Sequence, residues 1–203
     1  MKNYTPPLEP DNYYHIYNHA VGQDNLFNKK ENYHFFLEKY ASYINPVADT
    51  FAYCLLPNHF HFLVRIKEEI EIEECLKVKK DLTGFQNLSG LISKQFSNLF
   101  NSYSKSFNRQ QYRKGALFER PFKRRKIDNE KYLKNIIHYI HYNPVHHEFT
   151  DDLKEWKYSS YNSFFTKKKS LLKREEVIEW FDNLENFIFI HNKEADENID
   201  ILE

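Results

Sequence analysis

The chain has 203 residues, a formal net charge of zero from 29 basic and 29 acidic residues, and 17% aromatic side chains. That length fits one well-buried domain with an appendage, and charge alone points to no nucleic-acid partner. The four glycines, at 22, 84, 90 and 115, cannot be written into a Walker phosphate loop or a dinucleotide fingerprint, and Cys54 and Cys75 lack metal-finger spacing. With no signal-peptide pattern and no long apolar run, the expectation is a cytoplasmic protein with reduced thiols and no membrane contact.

In chain order, a proline-containing start leads into Tyr13–Val21, which reads as a strand. Glu31–Ile44 follows as an amphipathic helix through Phe35, Phe36, Tyr40 and Tyr43. Asp49–Leu56 and Phe60–Ile66 are rich in β-branched and aromatic residues, and Pro57-Asn58 supplies turn chemistry between them, so they are expected to pair as a hairpin. The acidic stretch Lys67–Ser89 reads as a long loop. From Leu88 to about Asn108, Leu91, Ile92, Phe96, Leu99, Phe100 and Tyr103 recur at helical spacing. Gly115–Ile127 is a short basic strand-like segment, and Asp128 is a natural N-cap for a helix running to an Asn143-Pro144 stop. The order β-α-β-β-α-β plus a terminal helix predicts an α+β fold: a ferredoxin-like antiparallel sheet with two helices on one face. Beyond Trp156 the sequence adds aromatic packing, a helix over Lys173–Phe187 and an acidic, frayed end from Lys193.

Charge is balanced overall but segregated along the chain. Between Lys94 and Lys126 stand Lys94, Lys105, Arg109, Arg113, Lys114, Arg120, Lys123, Arg124, Arg125 and Lys126, against Glu119 alone. The compensating acid lies in Glu68, Glu69, Glu71, Glu73, Glu74 and the C-terminal tail. Such segregation gives the molecule one face suited to phosphates.

The chemistry-bearing segment is Asn58-His59-Phe60-His61-Phe62. Strand side chains alternate with period two, so Phe60, Phe62, Val64 and Ile66 turn toward a core while His59 and His61 share the opposite face, where two imidazoles can hold a metal. On the helix ending at Asn143, Leu133, Ile136, Ile137 and Ile140 form the buried stripe. Tyr139 and Asn143, four residues apart, share a flank of it, and His138 and His141 fall on the other flank.

Four ordered motifs carry a resemblance: Asn58-His59-Phe60-His61; Gly115-x-Leu117-Phe118-x-Arg120-x-Phe122-Lys123; Tyr139-Ile140-x-x-Asn143-Pro144-Val145; and Trp156-x-x-Ser159-Ser160-Tyr161. Together, over about Tyr13 to Tyr161, they resemble the HUH single-tyrosine transposases, most closely the REP-associated tyrosine transposase branch. The resemblance implies a ferredoxin-like nuclease core, expected over residues 1–165, and leaves residues 166–203 as a C-terminal helical extension outside the family motifs. It implies that His59 and His61 bind a divalent metal, Mg²⁺ or Mn²⁺, with Asn143 completing the site, and that Tyr139 attacks single-stranded, hairpin-forming DNA as a monomer or homodimer. The product would be a 5′-phosphotyrosine with a free 3′ hydroxyl. Arg109, Arg113, Lys114, Arg120, Lys123, Arg124, Arg125 and Lys126 become candidates for DNA-backbone contacts, with Tyr112, Phe118 or Phe122 available to stack on an unpaired base. The long acidic loop, the extension beyond Ser160 and His146-His147 depart from the family pattern and bear on DNA sequence preference. Two other readings use the same residues: a transposase relative that binds a DNA hairpin without cutting it, and a zinc hydrolase built from His59 and His61 with His15 or His19.

Overall fold

The computed structural model describes residues 5–77 and 88–193. Alternation in β1 (Tyr13–His19) sends Tyr14 and Ile16 into one apolar layer and leaves His15, Tyr17 and His19 on the other face. Helix α1 (Lys30–Ile44) starts where Asn32 Oδ1 accepts hydrogen bonds from the Asn28 and Lys29 amides, at 3.1 and 3.0 Å. It buries Tyr33, Phe36, Tyr40 and Ile44, spaced by three or four residues, which is why a helix rather than a strand satisfies this stretch. β2 (Ala48–Leu55) and β3 (His59–Ile66) form the expected hairpin. An irregularity between Thr50 and Ala52 lets both Phe51 and Ala52 join the second apolar layer. Helix α2 (Glu69–Leu76) and the long α3 (Leu88–Gln110) follow, then β4 (Lys123–Ile127) and α4 (Glu130–His146). A single 3₁₀ turn over Tyr161–Phe165 leads to two short helices, α5 (Arg174–Trp180) and α6 (Leu184–His191).

The sheet order is β2-β3-β1-β4 and every neighbouring pair is antiparallel, the ferredoxin-like arrangement expected from the element order. Both faces are covered. On one, α1 and α3 pack Phe36, Phe96, Phe100 and Tyr103 against Phe60 and Phe62. On the other, Ile136, Ile137 and Ile140 of α4 share a core with Leu63, Tyr161, Val177, Phe181 and Phe187, so the C-terminal segment is part of the layer that holds α4 to the sheet. Among the described residues no helix is long and apolar enough to cross a membrane.

Five sequence expectations need correction. Within Lys67–Ser89, residues Glu69–Leu76 are helical rather than loop: Glu71 caps the Glu68 amide, acidic residues in the first turn favour the helix dipole, and Ile72 anchors the turn in the core. Residues 78–87 of that stretch lie outside the described residues, as do 194–203 of the acidic end. Asn129, not Asp128, caps α4, its Oδ1 accepting from the Tyr132 amide at 2.7 Å. The helix continues through Pro144 to His146, because in the last turn the proline removes only the bond to the Ile140 carbonyl. The helix expected over Lys173–Phe187 is two helices, broken where Asp182 takes φ 67° and Asn183 caps the second by accepting from the Asn186 amide. Of Gly115–Ile127, only Lys123–Ile127 is strand, and Phe118 makes an isolated bridge to Ala20.

Candidate active site

The β1–β3 register places Tyr17 opposite His61 and His19 opposite His59. His15, Tyr17 and His19 of β1 therefore share a sheet face with His59 and His61 of β3, the face that α4 covers. His19 stacks on His59 with ring centroids 4.7 Å apart, and His15 and His61 stack at 5.1 Å. His147, just past α4, meets His59 edge-on at 4.8 Å.

Helix α4 completes the cluster. Its apolar stripe seats the helix, and the adjacent flank brings Tyr139 and Asn143 to the imidazoles. The Tyr139 ring lies edge-on to His61 at 5.5 Å and to His15 at 6.3 Å, and His59 Nε2 stands 3.0 Å from Asn143 Oδ1. Thus the four residues singled out on two separate elements, His59, His61, Tyr139 and Asn143, meet in one place. His138 and His141 point elsewhere, as expected: His141 bonds His191 and Ser160. The site is closed, with Tyr139 8% exposed and His61 and Asn143 fully buried.

Burial sets the electrostatics. Desolvation pushes the His59 imidazole down to about 3, with repulsion from His19 and His147 adding to it. His61 is held well below the ordinary range by burial and then by His15 and His59. Both rings are therefore neutral near pH 7, with a lone pair each. A neutral imidazole has one N–H, yet both nitrogens of His59 face carboxamide oxygens: Nδ1 lies 2.8 Å from Asn58 Oδ1 and Nε2 lies 3.0 Å from Asn143 Oδ1. In this orientation of the two amides one nitrogen lone pair faces an oxygen lone pair; turning over the exposed Asn58 amide, so that its Nδ2 donates to His59 Nδ1, relieves it. Turning the Asn143 amide over would let Nδ2 donate to His59 but would strand Oδ1 instead. Among the described residues, His61 Nε2 and Asn143 Nδ2 are buried without hydrogen-bond partners.

A divalent cation placed between His59 and Asn143 would accept a lone pair from each of Nε2 and Oδ1. Their 3.0 Å separation is also that of two adjacent octahedral ligands about 2.1 Å from an ion. The residues present can fit such an ion: the carboxamide oxygen suits a hard cation such as Mn²⁺, which is also more tolerant of imidazole nitrogens than Mg²⁺. Among the described residues no group of three or more His, Cys, Asp and Glu side chains is arranged to hold a metal, so His15 and His19 do not complete the ligand set that a zinc hydrolase would need.

The eight candidate DNA-contacting cations divide in two. Lys123 and Arg125 pair across from Tyr17 and His15 and so lie on the histidine face, while Arg124 and Lys126 alternate onto the other. Arg109, Lys114, Arg120 and Arg125 are exposed. Arg113 is occupied internally by Asp24, the Asn108 side chain and the Ala116 carbonyl, and Arg124 by the Pro6 carbonyl and Ser93. Lys126 pairs with Glu9 at 2.8 Å. Of the three candidate stacking aromatics, Phe118 is core, packed on Phe60 and Phe100, and Phe122 packs on Phe96 under Arg124. Tyr112 alone stands free, 98% exposed at φ 51°. His15 and His19, named in the sequence only as possible zinc partners, join the cluster by stacking on the other imidazoles, while the contact of His147 with His59 escaped sequence reasoning.

No family model matches the chain. A Haemophilus influenzae protein named "Putative REP-associated tyrosine transposase" is 32% identical over 114 residues, which make up 56% of this chain and 59% of that protein. The chain thus aligns with less than two thirds of the length of that curated relative. A solved REP-associated tyrosine transposase bound to a REP hairpin shares the fold, with a TM-score of 0.62 at 14% identity, covering 82% of this chain and 87% of that one. The sequence likeness is thus to a protein of the branch that the four motifs resemble, and the structural likeness, at 14% identity, is one of fold.

Proposed function

We propose that this chain, which resembles REP-associated tyrosine transposases in sequence and in fold, is a metal-dependent single-stranded DNA endonuclease and strand transferase acting on hairpin-flanked DNA. The observation that carries this reading is the convergence of Tyr139 and Asn143 from α4 with His59 and His61 from β3 on one sheet face.

In the proposed step, Tyr139 Oη attacks a backbone phosphorus. The Oη–P bond forms as the P–O3′ bond breaks, the phenolic proton passes to solvent, and the departing 3′ oxygen takes up a proton. A phenol with a reference pKa of about 10 is a weak nucleophile near pH 7, so negative charge developing at the phosphate has to be stabilised. Held by His59, His61 and Asn143, a divalent ion, Mg²⁺ or Mn²⁺, would supply that stabilisation as a Lewis acid. The neutral imidazoles and the carboxamide contribute lone pairs without placing negative charge near an incoming phosphate. The resulting 5′-phosphotyrosine conserves the phosphodiester free energy, so rejoining to a 3′ hydroxyl requires no ATP, in keeping with a chain that lacks a phosphate loop. Because Tyr139 is only 8% exposed, the rim of the site has to open as DNA enters. Exposed Arg109, Lys114, Arg120 and Arg125 are suited to steer the DNA backbone, and Tyr112 to stack on an unpaired base.

Incubation of a hairpin oligonucleotide carrying a single-stranded flank with the protein and Mn²⁺ tests the reaction class. The expected upstream fragment ends in a free 3′ hydroxyl that a polymerase extends. A 3′ phosphate would contradict attack by a protein nucleophile on the 5′ side.

A further inference from the structure

His15 of β1 belongs to no motif in the chain, yet it is 1% exposed and its Nε2 lies 2.9 Å from His61 Nδ1. The two rings also stack nearly parallel, at 13°. A neutral imidazole carries one N–H, so this contact has two forms with different consequences for the far side of His61. If His15 donates, His61 Nδ1 is the acceptor and the His61 proton sits on Nε2, a buried nitrogen with no hydrogen-bond partner among the described residues. An orphaned buried N–H loses its hydration without a compensating bond and so disfavours this form. If His61 donates to His15, the unpartnered Nε2 carries a bare lone pair instead, on the sheet face where His59 Nε2 and Asn143 Oδ1 lie 3.0 Å apart.

We infer that His15 is a positioning residue: by accepting from His61 Nδ1–H it fixes the tautomer and ring orientation that leave His61 Nε2 bare for a divalent cation. The inference rests on the proposed metal site and deepens it. Partners behind ligand imidazoles fix orientation and basicity in this way, and losing one typically weakens metal affinity about 10- to 100-fold. They are commonly carboxylates or carbonyls. Here the acceptor is a second neutral imidazole, which adds no negative charge behind the ligand. Tyr17 lies against both rings, with centroids 4.8 Å from His15 and 5.9 Å from His61, so the acceptor is itself held in place.

Two measurements test this. Nitrogen-15 correlation spectra of the imidazoles in metal-free wild-type protein at neutral pH report the His61 tautomer directly; the expected form is protonated at Nδ1, and a proton on Nε2 would overturn the inference. Mn²⁺ titration, followed by the loss of the free-ion paramagnetic resonance signal, then compares wild type with His15→Phe, which keeps the stacked ring but no acceptor, and His15→Gln, whose amide oxygen can still accept. His15→Phe should bind Mn²⁺ about 10- to 100-fold more weakly and His15→Gln within a few-fold of wild type. Equal affinity in wild type and His15→Phe, with wild type binding, overturns the role of His15 alone. No binding by wild type overturns the metal reading and this inference with it. Should His15→Phe not fold, the wild-type tautomer decides the question.

Discussion

His59 and Asn143 concentrate the chemical argument at the scale of single residues. Their Nε2 and Oδ1 atoms, 3.0 Å apart and buried, are the pair that the proposed cation would share. Replacing Asn143 therefore separates ligation from packing. Asn143→Leu, close in volume but without donor atoms, is expected to lower Mn²⁺ affinity by at least ~10-fold, whereas Asn143→Asp, which retains the oxygen and adds charge, should bind at least as tightly as wild type. Calorimetric titration distinguishes the two, and equal affinity in wild type and Asn143→Leu would remove Asn143 from the site. These residues were legible in the sequence because each pair lies on one element: period two aligns His59 with His61, and one helical turn aligns Tyr139 with Asn143. His15 was not legible in this role, since its contact with His61 depends on the register between strands 46 residues apart.

Among the elements, α4 matters most, because it delivers both Tyr139 and Asn143. Its stripe was readable, but its ends were not: Asp128 and Asn129 are both competent cap residues by type, and it is Asn129 whose side chain accepts from the Tyr132 amide. The opposite flank of α4 is pinned by a buried relay whose polarity can be worked out. His191 Nδ1 donates to the Phe187 carbonyl at 2.8 Å, so His191 Nε2 accepts from His141 Nδ1, and His141 Nε2 in turn accepts from the Ser160 hydroxyl. Ser160 Oγ also accepts from the Tyr53 amide at 2.9 Å, tying α4 and α6 to β2. Ser160→Ala would leave the Tyr53 amide and the His141 lone pair unpaired, at a cost of roughly 1–3 kcal/mol in stability measured by denaturant unfolding. An unchanged midpoint and slope would mean that the relay does not hold the helix.

For the whole molecule, the sheet carries one apolar core on each face, and neutral histidines are built into the second. The α1–α3 core was legible from helical and strand periodicity. The second was less so, because Val177, Phe181 and Phe187 join it across two short helices whose break depends on the Asp182 backbone. Burial lowers His15 and His191 to about 3 each and His141 well below its ordinary range. With folded values below the unfolded value of about 6.5, the unfolded chain takes up protons first as pH falls. The metal-free protein should hold its full stability above about pH 6.5 and lose it progressively toward about pH 3, seen as a falling thermal midpoint. A midpoint that stays level down to pH 4 would contradict the neutral burial of these rings.

The central claim is that Tyr139 becomes covalently joined to DNA. Its most direct test is denaturing-gel capture of a labelled single-stranded hairpin oligonucleotide with Mn²⁺, wild type beside Tyr139→Phe. The account predicts a shifted, denaturation-resistant adduct with wild type and none with Tyr139→Phe, while the variant still binds the hairpin. An adduct that persists in Tyr139→Phe, or no adduct from wild-type protein that binds both Mn²⁺ and the hairpin, would contradict it.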